Sequence, residues 1–411
     1  MKITGIETIQ IQEFGNLVWV RIFTDQGVTG LGETFRNPLA TIAYIHETCV
    51  PYLMGKDPSQ IELHANALLH RVGNHFTGFP TRSVELRGNS AVDLALWDIA
   101  GKVAKQPVHQ LLGGLCRDRI RIYNTCASPG YNAQARTGYN TELVRLDSLR
   151  EHPTDPLDDL DAQMHDPAGL AVSLLDEGTT AMKIWPFDVA ALETNGQHIT
   201  RAELRNCIKP IEAIRKAVGD RMDIMLEFHG LWTLPCAIEI ADAVADLGIY
   251  WYEDPISMQN FDDLAAYKQR VRGRVCGSEA LGTTQWYRES FARGSIDVAH
   301  FDMCWIGGMT EGRKIASLAQ AFDRPIAPHD CTGPLLLVAN VHLLMSAPNA
   351  LIAETVRAHW RGFYQDLVTC LPTIDRGHIH AMAGTGWGTE LNPSVFRRKD
   401  LFVRKAGQCD E

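Results

Sequence analysis

From Arg119 onward the chain repeats one pattern, a short apolar run followed by a stretch of helical period. The runs read RIRIYNTCA, TAMKIWPFD, DIMLEFHG, IYWYEDP, RVCGSE, IDVAHFD, RPIAPHD and LIAE, and the stretches between them include LPCAIEIADAVADLG, DDLAAYKQRVR, GGMTEGRKIASLAQAF and PLLLVANVHLLMSA. Strands that alternate with amphipathic helices pair in parallel, because a crossover has to carry the chain back before the next strand can begin. Eight such strands are what a closed barrel requires, so the expected fold class is α/β, a (β/α)-barrel.

A barrel of this kind takes roughly 250 residues, and a chain of 411 has room for a second lobe. Residues 3–12 and 17–24 alternate apolar and polar, and TDQGVTGLGE sets a turn at Asp25, Gln26 and Gly27 before a third strand, which predicts an antiparallel meander. Asn37-Pro38 and Asp57-Pro58 read as helix starts, each a capping side chain followed by a proline whose missing N–H costs nothing there. A further helix is read from NSAVDLALWDIAGKVAKQ, with Val92, Leu96, Trp97, Ile99 and Val103 on its apolar face. The expected organisation is an α+β lobe over 1–115, the barrel over 116–370, and a segment over 371–411 that carries GTGWGTEL back to the first lobe. Residues Ser128 to Pro167 form one long irregular connection after the first barrel strand. It is expected over the carboxyl-end face, where barrel sites lie, as a lid, a solvated insertion or a subunit contact.

The formal net charge of −10 argues against nucleic acid or an anionic membrane as partner, since both require a positive field. MKITGIETIQIQ alternates like a strand and lacks the apolar core of a signal peptide. The apolar stretch from Pro334 to Met345 is interrupted by Asn340 and His342 and is too short to span a bilayer. A soluble, cytoplasmic protein is expected. Ten cysteines without a C-x-x-C pair indicate neither a disulfide framework nor a thiolate zinc site, and most are expected to be buried as small apolar residues.

Six polar residues end consecutive predicted strands: Glu227, Glu253, Glu279, Asp302, His329 and Glu354, at spacings of 26, 26, 23, 27 and 25 residues. A lone acid after a strand is ordinarily a helix cap, but six in succession crowd around one mouth of a barrel. Three carboxylates in one pocket repel each other unless a cation lies between them. Glu227, Glu253 and Glu279 therefore imply a metal, and their all-oxygen donor set selects Mg²⁺, with Mn²⁺ as a possible substitute. Asp302 and His329 end neighbouring strands, so the carboxylate is placed to orient the imidazole as a general base. Lys183 and His229 are also expected in the mouth. Their bland readings are a surface lysine paired with Asp188 or Glu177, and a histidine that supports the metal ligands.

The pattern resembles the enolase superfamily in its mandelate racemase subgroup, over nearly the whole chain, and AVDLALWDIAGKVAKQPVHQLLGG is similar to the last helix of that family's capping domain. The resemblance implies an α+β capping domain on a modified (β/α)7β barrel. It also implies metal ligands at Glu227, Glu253 and Glu279, an Asp–His dyad at Asp302 and His329, and a last-strand acid at Glu354. Such sites pair a Lys or His base with Mg²⁺ to stabilise an enediolate. Two departures narrow the expectation. Racemases of the subgroup carry K-x-K where this chain has Lys183-Ile184-Trp185, and a tryptophan cannot move a proton. E-F-H-G resembles the D-x-H of galactonate and mannonate dehydratases, which assigns His229 as the acid on the leaving hydroxyl and puts Glu227 where an aspartate is usual.

The implied reaction is dehydration of a sugar acid, an aldonate or aldarate, to a 2-keto-3-deoxy acid, with Lys183 and Glu354 near the substrate carboxylate. The alternatives are a racemase or epimerase, a lactone cycloisomerase, and a metal-binding barrel without catalysis. The resemblance also implies a homo-oligomer. Specificity is expected from residues 14–16, 76–82, Trp185 and the 128–167 segment.

Overall fold

The computed structural model describes residues 1–70, 83–131, 133 and 155–409. Strands β1 (Ile3–Ile11), β2 (Leu17–Thr24) and β3 (Thr29–Phe35) form the antiparallel meander, and Gly27 supplies the positive φ of 71° that the tight turn needs. The helix Glu85–Ala104 lies on this sheet. Its backbone approaches so closely that a Cβ at Gly30 or Gly32 would collide with the carbonyl oxygens of Ala95 and Ala91. Val92, Leu96, Trp97 and Ile99 are buried as expected, whereas Val103 is 50% exposed, because the helix runs on past the sheet it covers. The two proline-marked starts differ from expectation. Asn37 sits in the left-handed region and makes no side-chain cap for Pro38–Tyr44. Asp57 accepts from the Ser59 N–H in a turn, and the helix begins later, over Ile61–His70.

The barrel strands are β4 (Arg119–Thr125), β5 (Ala181–Ile184), β6 (Asp223–Glu227), β7 (Ile249–Glu253), β8 (Arg274–Gly277), β9 (Val298–Ala299) and β10 (Ala353–Thr355). They pair in parallel, and β10 closes the ring on β4. The run RPIAPHD falls short of a strand: only Ile326 pairs, bridging Ala299 and Ala350, because Pro325 and Pro328 have no N–H to give to a ladder. Inside the ring, Tyr123, Ala181, Met225, Trp251, Cys276, Val298, Ala327 and Ile352 form one buried apolar layer, a residue from each segment. Strand side chains alternate in direction, so the next inward layer lies two residues further on: Thr125, Lys183, Glu227, Glu253, Ser278, His300, His329 and Glu354. That polar layer is the floor of the mouth.

Helix Pro334–Ser346 is apolar all round because it is enclosed, every residue from Pro334 to Met345 being buried. Among the described residues no helix is long and apolar enough to cross a membrane. After the barrel, β11 (Ile374–Asp375) and β12 (His378–His380) form a hairpin that pairs antiparallel with β4, and β13 (Leu401–Gly407) joins the outer edge of β1.

Two acidic side chains of the first lobe fasten it to the barrel. Glu33 accepts from the N–H groups of Leu335 and Leu336 at 3.3 and 2.9 Å, and Asp93 accepts from Thr310 N at 2.9 Å. Each carboxylate thus sits on the N-terminus of a barrel helix, where unpaired N–H groups favour an anion. Burial pushes both carboxyls up to about 7.

Candidate active site

Lys183 projects from β5 into the centre of the polar layer. Its Nζ pairs with Glu253, lies 2.9 Å from Glu354 Oε1 and stands 3.5 Å from Glu227 Oε2. Burial works against its charge, but Glu253, Glu354 and Glu227 together hold the ammonium protonated well above its ordinary range. It is therefore no surface lysine, and the partners considered from sequence are engaged elsewhere: Asp188 pairs with His229, and Glu177 with Arg357 and Arg361. Glu354 is further fixed by Thr125 Oγ1 and by the Asp330 N–H at 2.6 Å. Burial alone would raise its pKa, yet Lys183, His329 and His300 bring it down to about 2.

Glu227 and Glu253 are neighbours in register across β6 and β7. Oxygens of Glu227, Glu253 and Glu279 all lie within 4.8 Å of one another. Buried together, two of these acids split: burial and the Glu227 charge drive Glu253 well upward, while His229 and Lys183 outweigh burial at Glu227 and drive it downward. Such a pair retains a proton where a divalent cation could stand. Glu279 Oε2 is buried without a hydrogen-bond partner. Both observations fit a hard cation held by these three residues. Glu253, Cys276 and His300 also approach within that distance, but burial keeps the Cys276 thiol protonated, which makes it a poor ligand.

His329 Nδ1 lies 2.8 Å from Asp302 Oδ2, and Asp302 is itself aligned by the Cys304 N–H at 2.7 Å. Trp305 stacks on the His329 ring at 5.9 Å, and the Arg87 guanidinium lies 4.2 Å over the Trp305 ring. Burial resists a charged imidazole, but Glu354, the Asp302 hydrogen bond and Glu279 lift His329 to about 9.

His229 does not continue the strand, as its φ of 49° shows, so the alternation assumed from sequence is not what aims it. Its N–H donates to Glu227 Oε1 at 2.6 Å, and its Nδ1 lies 2.7 Å from Asp188 Oδ2. Burial is again overcome, here by Asp188 and Glu227, and His229 rises to about 10. Trp185 meets this ring edge to face at 6.0 Å and meets Tyr131 at 5.9 Å.

The eight residues singled out from sequence thus converge on one mouth. Sequence reasoning missed His300, whose Nδ1 donates to Ala327 O at 2.5 Å and whose Nε2 faces Glu253 Oε1 at 3.0 Å. Its signal was its position two residues beyond Val298, in the same layer as Lys183 and His329. Asp188 and Trp305 were also missed as partners of the two imidazoles.

Of the regions expected to govern specificity, residues 76–82 lie outside the described residues, as does most of 128–167. The described flank of the latter is clamped where Arg357 pairs with Asp159. Phe14 stacks on Phe363 at 4.5 Å, and Asn16 donates to Ala133 O at 3.0 Å. A cavity of about 960 Å³ opens beside Glu279, lined by Arg87, Gln259, Gln285, Trp286 and Trp305 among others.

Comparison with known proteins matches this architecture. The enolase C-terminal domain-like family covers residues 167–395, and the mandelate racemase / muconate lactonizing enzyme N-terminal domain covers residues 3–113. A D-xylonate dehydratase of Haloferax volcanii is 26% identical over 95% of this chain and 87% of its own. A D-galactonate dehydratase family member of Streptomyces bingchenggensis is 27% identical over 96% and 92%. A crystal structure of an enolase of the mandelate racemase subgroup from Agrobacterium tumefaciens is 42% identical, covers 99% of both chains and superposes with a TM-score of 0.86. With its capping lobe, its closed barrel and its mouth of glutamates, the chain belongs to the enolase superfamily, in the mandelate racemase subgroup.

Proposed function

We propose that the protein is a sugar acid dehydratase that removes the proton alpha to the carboxylate of an aldonate or aldarate and expels the beta hydroxyl, giving a 2-keto-3-deoxy acid. The observation that carries this reading is a pair of histidines, each seated on its own carboxylate, at the rim of one glutamate cluster, with Trp185 where a racemase of the subgroup carries a second basic lysine. One base and one acid suit elimination, whereas racemisation requires a base on each face. The relatives named as D-xylonate dehydratase and D-galactonate dehydratase family member support the same substrate class.

Glu227, Glu253 and Glu279 would hold Mg²⁺, with Mn²⁺ as a substitute, and the bound cation would offset the charge that builds on the substrate carboxylate when the alpha proton leaves. Lys183, protonated and buried, adds a fixed positive charge beside that carboxylate. His329 takes the alpha proton at Nε2 while Asp302 holds Nδ1. His329 has to be neutral to do so, and a cation offsetting the Glu279 charge would remove part of what keeps it protonated. Trp305 keeps water off the base. His229 gives a proton to the beta hydroxyl, which departs as water, and the enol tautomerises to the keto acid. Ten cysteines, none of them in a disulfide, fit a reducing compartment, and we read the enzyme as cytoplasmic.

The test is a library of aldonates and aldarates incubated with the protein and Mg²⁺, with keto acid detected by semicarbazide. Release of keto acid from one of them supports dehydration. Conversion of a substrate into its C2 epimer without keto acid would reject it in favour of the epimerase reading.

A further inference from the structure

We infer that Asp188 is a positioning residue for the elimination half of the reaction: it holds the His229 ring so that Nε2 faces the departing hydroxyl. The inference rests on the reading of His229 as the acid and adds to it the group that aims it.

The carboxylate is not accounted for by local structure. Asp188 is the first residue of helix Asp188–Thr194, whose N-cap is Phe187 and which has no side-chain cap. Its side chain is 1% exposed, its Oδ2 meets His229 Nδ1 at 2.7 Å, and its Oδ1 has no partner. A buried carboxylate with one partner is costly to keep unless that partner needs it. The imidazole it meets is packed edge to face by Trp185, and the backbone N–H of His229, tied to Glu227 Oε1, fixes the main chain that carries the ring. With Nδ1 engaged, Nε2 is the ring nitrogen left to the partly open side, where the imidazole is 24% exposed.

Trp185 and Asp188 both come from KIWPFD, just past the end of β5. The chain has put after that strand two residues that support a histidine just past the next one, in place of a base of its own. The same construction recurs across the barrel. Asp302 follows β9 and supports His329 in the next segment, as Asp188 follows β5 and supports the histidine after β6.

The closing experiment separates proton removal from elimination. In deuterium oxide, His329 turnover is read as alpha-deuterium incorporation into recovered substrate and His229 turnover as keto acid. Asp188→Asn is expected to lower keto acid formation by about a hundredfold while deuterium incorporation stays within about threefold of wild type. A substrate analogue with fluoride at the beta carbon needs no acid to release its leaving group, and on it the variant should approach the wild-type rate. His229→Asn should behave in the same way. If His229→Asn eliminates the hydroxyl at the wild-type rate, the acid assignment itself fails and Asp188 falls with it. If His229→Asn separates the two reactions but Asp188→Asn lowers them together, or lowers neither, the inference about Asp188 alone is overturned. Should Asp188→Asn not fold, the wild-type protein still decides. A His229 Nδ1 proton resonance protected from solvent exchange is expected, identified by its loss in His229→Asn, and a rapidly exchanging one would refute the contact.

Discussion

The imidazole of His329 is 8% exposed and that of His229 24%, although each rests on a carboxylate no more than 1% exposed, at 2.8 and 2.7 Å. Both carboxylates come from the preceding strand end, so the construction is common and the surroundings differ. His329 is backed by Trp305 and lies 5.4 Å from the His300 ring, inside the polar layer, whereas His229 leaves the strand at a positive φ and turns towards the open side. On the proposed assignment the difference follows the two tasks. A proton on carbon is removed best where water cannot compete for the base. A hydroxyl that becomes water has to have a way out.

The contrast predicts graded outcomes. His329→Asn should show the largest loss, about 10⁴-fold in both keto acid formation and alpha-deuterium exchange, and retained turnover in either would break the comparison. His229→Asn should cost about 10²- to 10³-fold in keto acid and leave exchange near wild type. If the two reactions fall in parallel, the pairs do not have separate roles. Asp302→Asn should lower exchange and elimination together by at least about a hundredfold, in contrast to the selective loss expected of Asp188→Asn. Glu279→Gln removes one donor from the cluster and should weaken Mn²⁺ binding by calorimetry at least about tenfold. Unchanged affinity would move the cation elsewhere.

The smallest effect tests the anchor between the first lobe and the barrel. Glu33 is buried with its pKa pushed up from 4.5 to about 7, so the folded state binds its proton more tightly than the unfolded chain does. Its contribution to stability is then fully present below about 4.5 and is lost as the pH rises through about 7, by roughly 3 kcal/mol in all. Thermal unfolding of Glu33→Gln should gain on wild type between pH 5 and pH 8, and a difference that does not vary with pH would contradict this.

The barrel was readable because its strands end in residues whose chemistry betrays them, and the step from Glu227 to Glu354 marks each unit. The run at Pro325 to Pro328 shares the rhythm but only a short ladder, bonding Ala327 N–H to Ala299 O on one side and Ile326 N–H to Asn349 O on the other. Its prolines have no N–H to extend that pairing into a full strand. His300 was hidden for another reason. Nothing marks it along the chain, and its place becomes apparent only when the apolar residues beneath, Val298 and Ala327 among them, are aligned as one plane. Asp188 was in view as a possible partner of Lys183, but sequence distance could not show that the lysine turns inward to Glu253 and Glu354, leaving the aspartate to the histidine of the adjacent strand. Val103 shows the limit of periodicity: a helix continues its repeat beyond the surface that it covers.

Glu33 and Asp93 reach from the first lobe to the two helices that follow Asp302 and His329. The lobe that lines part of the cavity beside Glu279 therefore also braces the scaffold behind His329. Exchange of Arg87 or its neighbours in the cavity wall is free only so long as those two anchors keep their seats. Descendants of this chain that drift towards new substrates are therefore expected to vary in their loops and to leave the anchored sheet and helix alone.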